Sequence, residues 1–310
     1  MTDGAIDAWV ADGVGHVRLN RPRAINALSL DMLSELQRVL DGYASDQTVT
    51  RVELDGAGER GLCSGADVRW LREQVLAGGD TDEFFETEYR LDLCVWGYPK
   101  PYTAHMSGIT MGGGLGISMH ASDRVATPTS EFAMPETQIG LFPDVFARWH
   151  LARMPHEIGT HLAMTGLSIG AGDALWLGLA DRCDGEAPPA RLREHAEWIE
   201  ECYAGSDAAA IVGRLEGHAN PGAREAGAVI RTRCPMSVAV ALEAVRRAAA
   251  VPSPEALLDE ELRLARALVH RPDFAEGVRA QLVDKDRRPR WDPARLEDVT
   301  PSDVAACFAG

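Results

Sequence analysis

An α/β core over residues 1–192, followed by a mostly helical portion over residues 193–310, is the fold class this sequence predicts. Three observations carry that prediction. Short strand-like runs alternate with helical periodicity in the first part of the chain, a pattern that layers strands against helices. The strand signal fades beyond about Leu192. Between them, residues 101–122 carry no charged side chain and hold Gly112, Gly113 and Gly114 in a row, as a buried turn would.

The elements follow in order. HVRLN at 16–20 alternates as a strand and ends in a turn at Arg21-Pro22. Ser29 caps an amphipathic helix with Met32, Leu33, Leu36, Val39 and Leu40 on one face. VEL at 52–54 is a second strand, and Asp67 caps a helix running through Leu76. Asp80-x-x-Glu83 forms a capping box for a helix reaching about Trp96. A strand YTAH leads into the glycine segment, a further helix and a strand RVAT. Residues 192–227 read as a loose stretch rich in Ala, Gly and acids. SVAVALEAVRRAAA is then a helix, and Ser253-Pro254 starts another with Leu258, Leu262, Ala265 and Val269 as its stripe. Asp273-x-x-Glu276 boxes a third.

Bulk properties narrow the class. The chain has 310 residues, enough to bury a full core, and its 45% hydrophobic and 25% charged content is that of an ordinary globular protein. A net charge of −16 argues against nucleic acid and anionic membrane surfaces as partners, though a local basic cluster could still hold an anionic ligand. The N-terminal MTDGAIDAWVADG has neither a basic n-region nor an apolar h-region, so no secretory signal is expected. Residues 101–122 are long enough to span a membrane, and Gly108, Gly112 and Gly116 have the spacing that packs membrane helices. Five glycines, two histidines and several hydroxyls within the run favour a buried active-site segment instead. Cys63, Cys94, Cys183, Cys202, Cys234 and Cys307 include no CxxC pair, so a reduced, cytoplasmic protein is expected.

Two motifs invite over-reading. Gly56-x-Gly58-x-x-Gly61 follows a strand, but Leu62-Cys63-Ser64-Gly65 does not open the helix a dinucleotide fingerprint needs, so a turn is expected. His156 and His161 are five apart, whereas a zinc helix aligns ligands four apart; no metal site is expected.

What remains is chemistry. Ser64-Gly65-Ala66-Asp67 and Gly112-Gly113-Gly114 are small-residue turns that both precede helices. Backbone donors from two such turns can converge on one oxyanion. Glu136 follows Phe132, Ala133 and Met134, and Asp144 follows Leu141, Phe142 and Pro143. An apolar pocket can tune such carboxylates as acids or bases near neutral pH. Glu88 lies on the apolar stripe Phe84, Leu91 and Val95, where a carboxylate is either satisfied in place or functional.

SGITMGGGLGIS, FAMPETQIGLFPD and RPDFAEGVRAQLVDKDRRPRW together resemble the crotonase superfamily, and specifically its 3-hydroxyisobutyryl-CoA hydrolase branch. The likeness runs from LNRPRAINAL at 19–28 almost to the last residue. It implies a crotonase-like spiral core of ββα units with a helical C-terminal region, and hydrolysis of an acyl-CoA thioester in valine breakdown. The resemblance assigns Ala66 and Gly113 to the oxyanion hole. Glu136 becomes the main catalytic carboxylate, as base or nucleophile, and Asp144 its substrate-contacting partner. Glu88 becomes a further substrate contact, and Arg21 or Arg23 lie at the loop that touches CoA phosphates in relatives. No metal or redox cofactor is implied, since coenzyme A is part of the substrate, and the superfamily's trimers suggest a homo-oligomer.

Hydratases of the superfamily carry a glutamate where this chain has Gly116, which favours hydrolysis over hydration. An enoyl-CoA hydratase or isomerase and a non-catalytic acyl-CoA-binding protein are the alternatives. Phe146-Ala147-Arg148-Trp149 replaces the glycines that follow FPDV in the branch. Phenylalanine adopts positive φ only at a cost, and a narrower or reshaped acyl pocket is expected. Residues 184–227 are also short for the branch.

Overall fold

The structure, a computed structural model, describes residues 4–309; residues 1–3, at the start of the acidic N-terminal segment, and residue 310 lie outside the described residues. The chain forms two compact units.

The first unit comprises the chain up to Asp67, Phe84–Ala133 and Ile169–Ala190. It holds every described strand: β1 Ile6–Ala11, β2 Val14–Leu19, β3 Arg51–Gly56, β4 Tyr102–Met106, β5 Ile109–Met111, β6 Asp123–Ala126, β7 Glu131–Ala133, β8 Ile169–Gly170 and β9 Arg182–Cys183. β1 and β2 make a hairpin through Asp12 (φ 50°) and Gly13 (φ 77°), the double positive φ that matches the twist of a two-residue turn. From β2 onward the main sheet is parallel, in the order β1-β2-β3-β4-β6-β9. A smaller sheet has the order β5-β7-β8. The helix Leu30–Ser45 begins at Ser29, whose side chain accepts from the Met32 N–H at 3.3 Å. It buries the expected Met32, Leu33, Leu36, Val39 and Leu40, each contributing roughly 1.5–3 kcal/mol of transfer free energy before conformational entropy is counted.

The uncharged run of residues 101–122 is divided among β4, β5 and the wholly buried helix Gly113–Met119. Among the described residues no helix is long and apolar enough to cross a membrane. The three glycines from Gly56 to Gly61 lie in the expected turn, and residues 62–65 directly after them are not helical.

The second unit comprises Val68–Glu83, Met134–Ser168 and the chain from Arg191 on. Its described elements are all helical. The helix Pro235–Ala248 buries ten residues and packs against Ile158–Thr165 and Ala147–Leu151.

Three expectations are corrected in this unit. The stretch 192–227 is helical, with helices Ala196–Tyr203, Ala208–Gly217 and Pro221–Ile230; the side chains of Asp207 and Asn220 cap the last two. The helix Leu258–Val269 buries Glu261, Leu264, Ala265, Leu268 and Val269, so its inner face is rotated away from Leu258 and Leu262. Asp273 caps nothing. It is buried within the helix Pro272–Val278 and accepts from the Asp292 N–H at 2.8 Å, while Glu276 pairs with Arg279.

Candidate active site

In the strand-bearing unit two loops run side by side. Gly61 bridges Gly108 and Cys63 bridges Thr110, with Met111 donating to the Cys63 carbonyl at 3.0 Å. The approach demands a bare backbone, because a Cβ at Gly61 would fall 2.3 Å from the Ile109 carbonyl oxygen. Gly65 has φ 102°, and a Cβ there would come 3.5 Å from the Gly113 nitrogen. The Ala66 turn therefore lies against the head of the helix Gly113–Met119.

The direction of each N–H follows from the bonds around it. Leu28 donates to the Gly65 carbonyl at 2.9 Å and accepts from the Asp67 N–H at 2.8 Å, so the Ala66 N–H points to the other side of its strand. Gly112 (φ 50°, ψ −126°) donates to the Ala133 carbonyl, and its own carbonyl accepts from Leu115 and Gly116. This leaves the Gly113 N–H in the first helical turn, where intrahelical partners are lacking. Backbone donors of this kind, at the head of a helix and on an adjoining turn, can stabilise a developing oxyanion.

Glu88 and Asp92 stand over these turns. Both are buried on the helix Asp82–Trp96, together with the expected Phe84, Leu91 and Val95. A Cβ at Gly113 would lie 2.2 Å from Glu88 Oε1, and one at Gly116 would lie 2.6 Å from Asp92 Oδ1. Glycines three apart on one helix thus seat carboxylates four apart on its neighbour. The sequence points to Glu88 but hides Asp92, although Asp92 lies one turn beyond Glu88. Gly116 has no room for a side chain, and the carboxylate beside it comes from another helix.

Arg21 is committed locally: its Nη1 donates to the Ala27 carbonyl at 2.6 Å, and its Nη2 to Asp67 Oδ2 at 3.1 Å. Arg23 stands exposed. Burial pushes the Cys63 thiol up to about 12, which makes it a poor nucleophile.

The helical unit contains Glu136 and Asp144, both buried, on one continuous segment. Glu136 opens a 3₁₀ turn, Glu136–Gln138, and its carbonyl accepts from Ile139 and Leu141. The next carbonyl, of Thr137, accepts from the Cys234 N–H at 2.9 Å at the head of the helix Pro235–Ala248. The helix Pro272–Val278 clasps the segment through two glycines. A Cβ at Gly277 would fall 2.6 Å from Ile139 Cα, and one at Gly140 (φ 80°) would fall 2.7 Å from the Asp273 carbonyl carbon. The EGV of the C-terminal motif is therefore a packing device for the segment bearing both carboxylates. After Asp144, Val145 (φ 49°) and Phe146 (φ 62°) are both left-handed. The chain thus takes here the positive φ that the sequence marks as costly for phenylalanine.

The two histidines have separate partners. His156 meets Glu200 at 2.7 Å, and buried His161 meets the Tyr203 hydroxyl at 2.8 Å. No group of His, Cys, Asp and Glu among the described residues could hold a metal ion.

Comparison with known proteins follows this geometry. A model of the family described as enoyl-CoA hydratase/isomerase matches residues 14–187 and 182–308. The mitochondrial 3-hydroxyisobutyryl-CoA hydrolase of Gallus gallus is 35% identical, with 99% of this chain and 90% of that protein covered. The Homo sapiens protein of the same name is 34% identical, with 94% and 84% covered. Among solved structures, a carnitinyl-CoA dehydratase from Mycobacterium thermoresistibile superposes with TM-score 0.95 at 40% identity, covering 99% of this chain and 97% of its own. An enoyl-CoA hydratase from Rhodobacter sphaeroides 2.4.1 gives 0.94 at 35% identity, with 99% and 97% covered.

Proposed function

The chain belongs to the enoyl-CoA hydratase/isomerase family and has its crotonase fold, and we propose that it hydrolyses a short β-hydroxyacyl-CoA thioester, 3-hydroxyisobutyryl-CoA, to the free acid and CoA. The observation that carries this reading is the likeness to hydrolases of that name over 94–99% of the chain. The Ala66 and Gly113 N–H groups hold the thioester oxygen as it gains negative charge. Glu136 takes a proton from water, whose oxygen attacks the carbonyl carbon; collapse of the tetrahedral intermediate breaks the C–S bond, and the proton passes to the departing thiolate. In the covalent variant the Glu136 carboxylate attacks first, releases CoA, and forms an anhydride that water then opens. Asp144 and Glu88 contact substrate in both.

Neither route uses a metal or redox cofactor. The setting we propose is cytoplasmic, on the strength of six cysteines that are all free thiols, with this chain acting as a homo-oligomer.

A second reading, hydration of an enoyl-CoA, is favoured by Asp92, which brings a carboxylate to Gly116 from a neighbouring helix. The names of the two solved structures point the same way. Product analysis with two substrates separates the readings. Hydrolysis predicts free thiol from 3-hydroxyisobutyryl-CoA and no hydroxyacyl-CoA from the matching enoyl-CoA. Hydroxyacyl-CoA formed from the enoyl ester without thiol release would establish the hydratase and refute the hydrolase.

A further inference from the structure

Arg148 and Glu261 are both fully buried in the helical unit, and no step above uses either. Arg148 Nε donates to Glu261 Oε1 at 2.9 Å, its Nη1 pairs with Glu260, and its Nη2 reaches the Leu257 carbonyl at 3.5 Å. Burial raises the Glu261 carboxyl against the pull of Arg148; the guanidinium is itself raised, because its two carboxylates outweigh the burial that opposes them.

Stability alone gives little reason to keep such a pair. Desolvating two charges costs several kcal/mol, and apolar residues of similar volume are often as stable or more so. What the pair touches is more telling. Val145 and Phe146 are left-handed, at roughly 1–2 kcal/mol each for side chains of this kind. The turn is otherwise closed by the Ala147 N–H donating to the Asp144 carbonyl at 2.8 Å and the Trp149 N–H to the Phe146 carbonyl at 3.0 Å. Glu261, from the helix Leu258–Val269, holds this turn through Arg148, which lies two residues after Phe146 in the first turn of the helix Ala147–Leu151.

We propose that Glu261, acting with Arg148, is a positioning residue for Asp144: it holds the strained turn after Asp144 left-handed and so fixes where the Asp144 carboxylate is presented. This rests on the reading that Asp144 acts on the substrate.

The test compares alanine with glycine at position 146 in the wild-type and Glu261→Gln backgrounds. Both substitutions remove the buried ring, but only glycine takes positive φ without cost. Glu261→Gln alone should lower kcat for thiol release about 10- to 100-fold, with KM little changed and the protein folded. In that background glycine at 146 should outperform alanine by about tenfold more than in the wild-type background, the signature of two residues sharing one task. An equal glycine-to-alanine ratio in both backgrounds would overturn the proposal, as would unchanged kcat in folded Glu261→Gln. Arg148→Lys, which keeps the charge and loses the fork, carries the same comparison should Glu261→Gln not fold. Asp144→Asn separates the two levels. Full turnover by that variant refutes the reading of Asp144 itself, whereas an impaired Asp144→Asn beside unimpaired Glu261 and Arg148 variants refutes only the positioning.

Discussion

At the scale of single residues, glycine decides the geometry by what it leaves out. Gly113→Ala would press a methyl group against Glu88 Oε1 and bring it 3.3 Å from Leu28 Cδ1. The helix head would have to move, and its N–H with it. We expect kcat for thiol release to fall about 10²- to 10³-fold, as for loss of one oxyanion donor, with little change in circular dichroism; a variant within twofold of wild type would count against Gly113 as a donor. These glycines, Glu136 and Asp144 were singled out by the sequence because each sits in a short, distinctive string, and Glu88 because it lies on an apolar helix stripe. Asp92 and Glu261 were not. Each is one acid on an otherwise ordinary amphipathic helix, and what makes each matter, a glycine on a neighbouring helix or a guanidinium more than a hundred residues earlier in the chain, is invisible locally.

At the scale of elements, periodicity located most helices but not the three within residues 192–227, and it misread the face of another. The face of Leu30–Ser45 was readable because five large apolar residues repeat on it. The face of Leu258–Val269 was not, because its buried stripe includes Glu261 and a charged residue reads as solvent-facing. The hairpin β1-β2 could have been found from Asp12-Gly13, a turn pair with a known preference for two-residue hairpins. Two glycines on helices make opposite predictions here. Gly277→Ala inserts a Cβ 2.6 Å from Ile139 Cα and should cost about 1–3 kcal/mol through overpacking, seen as a lower urea midpoint. Gly213 lies within the helix Ala208–Gly217 with nothing within 4 Å of a Cβ. Gly213→Ala should therefore stabilise by about 0.5–1 kcal/mol and raise Tm.

At the scale of the whole molecule, the balance of α/β and helical segments was readable along the chain, but the assembly of its compact units was not. Each unit gathers three separate stretches, and local patterns do not record which distant stretches pack together. Buried ionisable groups set the response of the whole fold to acid. Burial lowers His161 from an ordinary 6.5 to about 3, so on acidification the unfolded chain takes up that proton first. The contribution is intact above about 6.5 and is lost as pH falls towards 3. His161→Gln should flatten the fall of Tm between those values, and a slope identical to that of the wild type would show that other groups govern acid unfolding.

The central claim, that Glu136 drives thioester hydrolysis, is met most directly by one comparison. Free-thiol release from 3-hydroxyisobutyryl-CoA would be measured for the wild type and for Glu136→Gln, a near-isosteric change at a buried position. The account predicts rapid release by the wild type and a loss of at least about 10²-fold in the variant, with the variant still folded and still binding the ester. Equal release by both proteins, or none by the wild type, would contradict it.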